Sequence, residues 1–223
     1  MNLEEKKFSE LLKKLIEFKS GVTKIPIKDL GWEELIWATL LFMYGDEKVK
    51  WNPQSHNKSV DIVAEIDQNK ECKISAKAGK ISTKKNKFFL TISSYRLTSF
   101  NSLNDMLDFI KNQHNSFDYY LICARQNKKE QVKYIAYKIK STRLAPEWFL
   151  KSQNWQENNS GYELKNSFEF EAKIVKKMSN QLWYYIPLTY FSDDEKMLEI
   201  GINKDELGRN LIDFLRKEQK DKN

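Results

Sequence analysis

The residues best suited to chemistry gather between Trp51 and Lys80, in WNPQSHNKSVDIVAEIDQNKECKISAKAGK. Asp61, Ser75 and Lys77 stand there in the spacing D-x13-S-x-K. A carboxylate with a nearby backbone carbonyl, such as that of Ala76, can hold a hard cation like Mg²⁺, which takes oxygen ligands and keeps several waters. A lysine alongside can position or help deprotonate a metal-bound water, while the cation neutralises charge developing on a phosphodiester. The alternative for Asp61 and Lys77 is an ordinary cross-strand ion pair.

These groups need two strands to position them. Val60, Ile62, Ala64 and Ile66 alternate with Asp61, Val63 and Glu65. After a polar break, Cys72, Ile74, Ala76 and Ala78 alternate with Lys73, Ser75 and Lys77. Period-two alternation marks strands with one buried and one available face. If Asp67 to Glu71 is a five-residue loop, Ile66 faces Cys72 and Ile62 faces Ala76. Asp61 is then opposite Lys77 and Val63 opposite Ser75, with directly opposed side chains roughly 5 Å apart. A pairing of Asp61 with Glu71 and Lys73 fails, because Lys73 would lie ~13 Å from the position opposite Asp61 at ~3.3 Å per residue. Glu65 shares Asp61's face but stands about four residues along, at ~3.3 Å each.

Charge supports an anionic partner. The chain carries a net +7, and residues 48–100 hold eleven Lys/Arg against four Asp/Glu, so the excess lies there and the rest is neutral. No acid occurs from Cys72 to Asn104. A basic field beside one hairpin suits nucleic acid. Lys80, Lys84, Lys85 and Lys87 suit phosphates, while Arg96, Asn154 and Gln156 have the chemistry for base edges. His56, just before the first strand, is a further phosphate-contacting or water-assisting candidate. His114 ends a helix, where a cation suits the dipole.

The hairpin and the helix before it resemble the PD-(D/E)XK nuclease superfamily, closest to its Mrr-like restriction branch. GWEELIWATLLFMYG is similar to that branch's first core helix, SVDIVA to its aspartate strand, and KISAK stands where the acid-x-Lys element falls. The resemblance spans about residues 30–80. It implies Asp61 as metal-binding aspartate and Lys77 as catalytic lysine. It also implies Glu34 as the helix glutamate completing the metal site, with adjacent Glu33 as the alternative. Val60 replaces the proline of the motif's name. Ser75 replaces its acid, so Glu34 or Glu65 must supply the missing charge. The resemblance further implies a Mg²⁺-dependent type II restriction endonuclease (Mn²⁺ substituting), acting on double-stranded DNA as a homodimer, with a DNA methyltransferase encoded nearby.

The remaining elements predict a single domain, residues 1–223, with an α/β, restriction-endonuclease-like core over about 30–140. A mixed central β-sheet is flanked by helices at 3–19, 32–44 (apolar nearly all round) and 103–114. Further strands are expected at 88–97, 119–124 and 132–139, with a basic loop at 82–87. Residues 141–203 read as an aromatic-rich strand and loop lobe for DNA recognition or dimerisation. Its strands fall at 168–175 and 182–188, beside a polar loop at 151–161, and a last helix spans 205–217. Cys72 and Cys123 sit in apolar runs and read as buried thiols rather than a disulfide or metal pair. The N-terminus has neither signal-peptide nor membrane-span character, which points to a cytoplasmic protein without membrane association.

Overall fold

The computed structural model describes residues 4–52, 59–67, 70–84, 86–165 and 169–220. It is a mixed α/β structure in which one large sheet is flanked by helices. In chain order the elements are α1 (Glu5–Val22), α2 (Asp29–Tyr44), β1 (Val49–Trp51), β2 (Ile62–Asp67), β3 (Lys70–Lys84), β4 (Lys87–Arg96), α3 (Leu103–His114), β5 (Tyr119–Asn127) and β6 (Gln131–Lys140). There follow β7 (Trp155–Asn158), β8 (Gly161–Leu164), β9 (Glu171–Val175), β10 (Gln181–Pro187), β11 (Lys196–Asn203) and α4 (Arg209–Lys220). The sheet runs β11-β6-β5-β3-β4-β10-β9-β8-β7, with β2 and then β1 branching off β3. Among the described residues only β3 and β5 pair in parallel, the crossover being made through α3.

Each face of the sheet carries its own core. On one side Phe8, Leu12 and Ile16 of α1, four residues apart along one helix face, pack with Trp32, Leu35, Ile36 and Leu40 of α2 onto Ile62, Ala64, Cys72, Ile74 and Ala76. The Trp32 indole N–H donates to the Leu121 carbonyl at 3.0 Å and so fastens α2 to the central strand β5. On the other side Met106, Leu107 and Ile110 of α3 meet Leu90, Ile92, Tyr120 and Ile122, and the same core continues through Phe149, Phe170 and Tyr184. α2 stops at Gly45, whose φ of +91° suits a residue without a side chain and whose N–H caps the Leu41 carbonyl at 2.8 Å.

Several expectations need correction. α2 is not apolar-buried all round, since Phe42 near its free end is 74% exposed. The strands of residues 141–203 extend the central sheet, β10 pairing with β4 and β9 with β10. The polar stretch 151–161 is largely a hairpin of β7 and β8, and of the basic loop expected at 82–87 residues 82–84 belong to β3 and Lys87 to β4. β11 is a further strand outside those expected, its Leu198, Ile200 and Ile202 buried in alternation with Glu199, Gly201 and Asn203. Cys72 and Cys123 are buried free thiols, each pushed up to about 12 chiefly by burial. Among the described residues, no helix is long and apolar enough to cross a membrane.

The hairpin's register also differs from the expected one. β2 and β3 pair Ile62 with Ile74, Val63 with Lys73 and Ala64 with Cys72, two residues away from the alternation-based alignment. A two-residue slip leaves every side chain on the same face, so alternation alone does not distinguish the two registers. Glu65 consequently faces Glu71, far along the strand from Asp61.

His114 is not the helix-end cation that its position suggested. It is 1% exposed. Its Nδ1–H donates to the Ser141 carbonyl at 2.6 Å and its Nε2 faces the Tyr120 hydroxyl at 3.3 Å, the tautomer that an imidazole meeting a carbonyl must adopt. Burial drives its pKa from 6.5 down to about 4, with Lys77 adding to the shift and the Ser141 carbonyl opposing it. The unfolded chain therefore takes up a proton that the folded chain refuses, and stability contributed above the unfolded value is lost as pH falls towards the folded one. Urea unfolding at stepped pH should show on the order of 3 kcal/mol lost over that window. The His114→Gln variant should lose the dependence; an identical profile in the variant would place the sensitivity elsewhere.

Candidate active site

The site lies at a break along one edge of β3. On one side β3 pairs continuously with β5 from Ile74 to Lys80. On the other it pairs with β2 only as far as Ile74 and with β4 only from Gly79. The segment Ser75–Ala78 therefore faces a gap between two strand ends. Asp61 sits in it, immediately before β2, with its N–H bonded to the Ile74 carbonyl at 2.9 Å.

A single oxygen of Asp61 gathers the segment. Oδ2 accepts the Ala76 N–H at 2.7 Å, the Ser75 hydroxyl at 3.1 Å and the Lys77 ammonium at 3.4 Å. Asp61 and Lys77 are largely but not wholly covered, their side chains 13% and 22% exposed. Ser75 is 1% exposed, so its hydroxyl is committed to Asp61 rather than to solvent. In a strand the N–H and C=O of one residue point to the same side. The Ala76 carbonyl therefore leaves towards the same gap as its N–H.

Of the two candidate helix acids, the structure brings Glu33 to this gap and not Glu34. Glu34 turns away to pair with Lys19 of α1. Glu33 accepts the Trp51 indole N–H at 3.4 Å, with Trp51 stacked on Trp37 of the same helix at 5.2 Å. Its carboxyl is raised above the ordinary value of 4.5, first by burial and then by the negative charge of Asp61, with Trp51 and Lys77 working the other way. The apolar sequence of α2 does not fix its rotation, which the anchoring of Trp32 on β5 sets. Trp51, which orients Glu33, carries no sequence signal beyond lying before the hairpin.

The expected DNA-contacting residues divide. Lys80, Lys84 and Lys87 are exposed, as is Arg96 at the end of β4 opposite Gln181. Asn154 is taken up structurally, its amide donating to the Trp148 carbonyl at 2.7 Å. Gln156 is exposed on β7, at the edge of the sheet. His56 and Lys85 lie outside the described residues.

A carboxylate in a partly buried gap, with a second acid near enough to feel its charge and a main-chain carbonyl pointing in, fits a hard divalent cation. Mg²⁺ characteristically uses one or two carboxylates and completes its shell with water and phosphate oxygens. Among the described residues no group of three or more His, Cys, Asp or Glu side chains meets.

Glu33 provides a test of whether the gap is built for a ligand rather than for stability. Its folded value is raised, so the protein is favoured below its unfolded value and loses that advantage as pH rises through the folded one. In chelator at neutral pH, Glu33→Gln should melt at or above the wild-type temperature, and its margin should shrink on acidification. A neutral-pH melting temperature several degrees lower would make Glu33 a structural partner of Trp51. No protein-family model, curated protein or solved structure matches this chain, and its chemistry rests on the geometry of this gap.

Proposed function

We propose that this chain is a Mg²⁺-dependent DNA endonuclease on a restriction-endonuclease-like core. The observation that carries the reading is the convergence of Ser75, Ala76 and Lys77 on Asp61, with Glu33 raised by Asp61's charge. Asp61, Glu33 and the Ala76 carbonyl would hold the cation, which supplies charge neutralisation at the phosphodiester and an acidified water. The Ser75 hydroxyl and the Ala76 N–H fix the Asp61 carboxylate in place. Lys77 brings a positive charge and a proton to the same point, where it can orient a phosphate oxygen and answer the charge that builds on it. The exposed lysines of β3 and β4 give affinity for the backbone without reading sequence.

Ser75 also supports a second reading, a DNA-binding protein without cleavage, because the motif position that would carry an acid carries a hydroxyl bonded to Asp61. In the first reading Glu33 supplies the second carboxylate. The nuclease reading brings with it a DNA substrate, a homodimer if both strands are cut, and a cytoplasmic setting within a restriction system or DNA repair.

Incubating plasmid and phage DNA with Mg²⁺ or chelator separates the two readings. The nuclease reading predicts Mg²⁺-dependent cutting that Asp61→Ala and Lys77→Ala each reduce by about 10²-fold or more, with Glu34→Gln near wild type. Wild-type cutting by both alanine variants would remove the site assignment. Salt-sensitive binding without cutting, with activity created by Ser75→Glu, would establish the second reading.

A further inference from the structure

Among the described residues, no buried apolar core covers one face of β4, β7, β8, β9 and β10, where Trp183, Tyr185 and Phe89 are part-exposed. The core formed with α1 and α2 includes residues of β1, β2, β3, β5, β6 and β11, but none of β4, β7, β8, β9 or β10 among the described residues. Along those strands Leu90, Ile92, Ala172, Ile174, Leu182 and Tyr184 point to the opposite core. Their alternating neighbours therefore share the other face. On β10 these are Trp183 and Tyr185, and on β4 they include Phe89, none of them fully buried. Tyr185 is the register partner of Thr91, which is the partner of Lys80. Trp183 lies between Ser93 of β4 and Lys173 of β9.

Charge on this face points to a polyanion. At its outer end Lys84 and Lys87 are direct register partners on the same face, both exposed. Like charges directly opposed across strands are destabilising, and an anion bound between them reverses that cost. Lys80 carries the same charge on this face, the side of the sheet on which α2 lies, whereas Lys77, three residues before it, points to the other. Lys173 lies 5.8 Å over the Tyr185 ring but is itself paired with Glu163 at 2.7 Å, and Glu171 is the register partner of Tyr185, so the positive charge of the face lies on β3 and β4.

Shape decides what kind of polyanion this face takes. The four strands β3, β4, β10 and β9 lie side by side and span about 14 Å at a spacing of ~4.8 Å. That is already wider than the ~12 Å major groove, which admits a helix or a two-stranded ribbon. A broad face of this kind cannot read paired bases by entering the groove. Its rings instead suit unpaired bases, whose π-faces stack on aromatic side chains while a basic track follows the backbone. Trp183 and Tyr185 are two residues apart on one strand face, ~7 Å, a spacing at which each can take a separate base.

We propose that this face of β3-β4-β10-β9 binds a single-stranded segment of DNA, with Trp183 and Tyr185 as stacking platforms and Lys80, Lys84 and Lys87 as phosphate contacts. This rests on the nuclease reading of the Asp61 gap and deepens it: the face engages one strand of the DNA substrate, unpaired, beside the scissile bond.

Binding of the full chain measured in chelator, by fluorescence anisotropy of labelled oligo-dT of about 15 nucleotides and of a duplex of equal length, separates this surface from the chemistry. Oligo-dT should bind more tightly than the duplex. Trp183→Ala and Tyr185→Ala should each weaken oligo-dT binding about tenfold, Trp183→Phe should retain most of it, and Lys84→Glu with Lys87→Glu should flatten its salt dependence. Circular dichroism identifies an alanine variant that fails to fold, and Tyr185→Ala and Trp183→Phe then decide. Tighter binding of the duplex, or oligo-dT binding unchanged in both aromatic variants, overturns the proposal even if Mg²⁺-dependent cutting is observed. Ring-dependent binding with no cutting in Mg²⁺ keeps the surface and removes the nuclease.

Discussion

One carboxylate oxygen ties the centre of this molecule together. Asp61 Oδ2 takes three donors from three consecutive residues of β3, at the point where that strand has lost β2 and not yet gained β4. An unpaired strand edge inside a sheet leaves main-chain donors and acceptors in need of partners. Here a side chain supplies one of them, and the same side chain is thereby held where strand geometry, and not a loop, sets its position. The gap is both the weak point of the ladder and the place where polar groups converge from α2, β2 and β3.

The electrostatics of the gap oppose one another in a way an ordinary ion pair does not need. Lys77 satisfies Asp61, yet Glu33 is brought in against Asp61 and raised by it. A structural salt bridge gains nothing from a second acid half-buried beside it. A cation between the acids would relieve the repulsion, and the Trp51 N–H holds Glu33 in readiness. Behind the gap Tyr95, Tyr120 and His114 form a chain of hydrogen bonds, two hydroxyls and then the imidazole, that ends on the Ser141 carbonyl. His114 stays neutral there because burial outweighs its hydrogen bond to that carbonyl.

The elements that position the gap were legible in the sequence because their patterns are strong. The apolar spacing of α1, the span of α3 and the alternation of β2 and β3 all emerge from hydrophobic periodicity. Asp61, Ser75 and Lys77 were legible as a group even though the register drawn for them was two residues out, since a slip of two preserves the face. The choice between Glu33 and Glu34 was not legible, because an apolar helix hides its rotation until Trp32 finds the Leu121 carbonyl. Nor was the union of residues 141–203 with the central sheet, which depends on β10 pairing with β4 across a long sequence separation. Aromatic residues there looked like a separate cluster. In the fold they divide between a buried core and the opposite, part-exposed face of the sheet.

The central claim is that Asp61 and Glu33 together hold a divalent cation. Calorimetric titration of Mn²⁺ into the apo-protein tests it most directly, with Asp61→Asn, Glu33→Gln and Glu34→Gln measured alongside. The geometry predicts binding by the wild type and by Glu34→Gln, and its loss in Asp61→Asn and Glu33→Gln. Binding undiminished in those two variants, or abolished by Glu34→Gln alone, would contradict it.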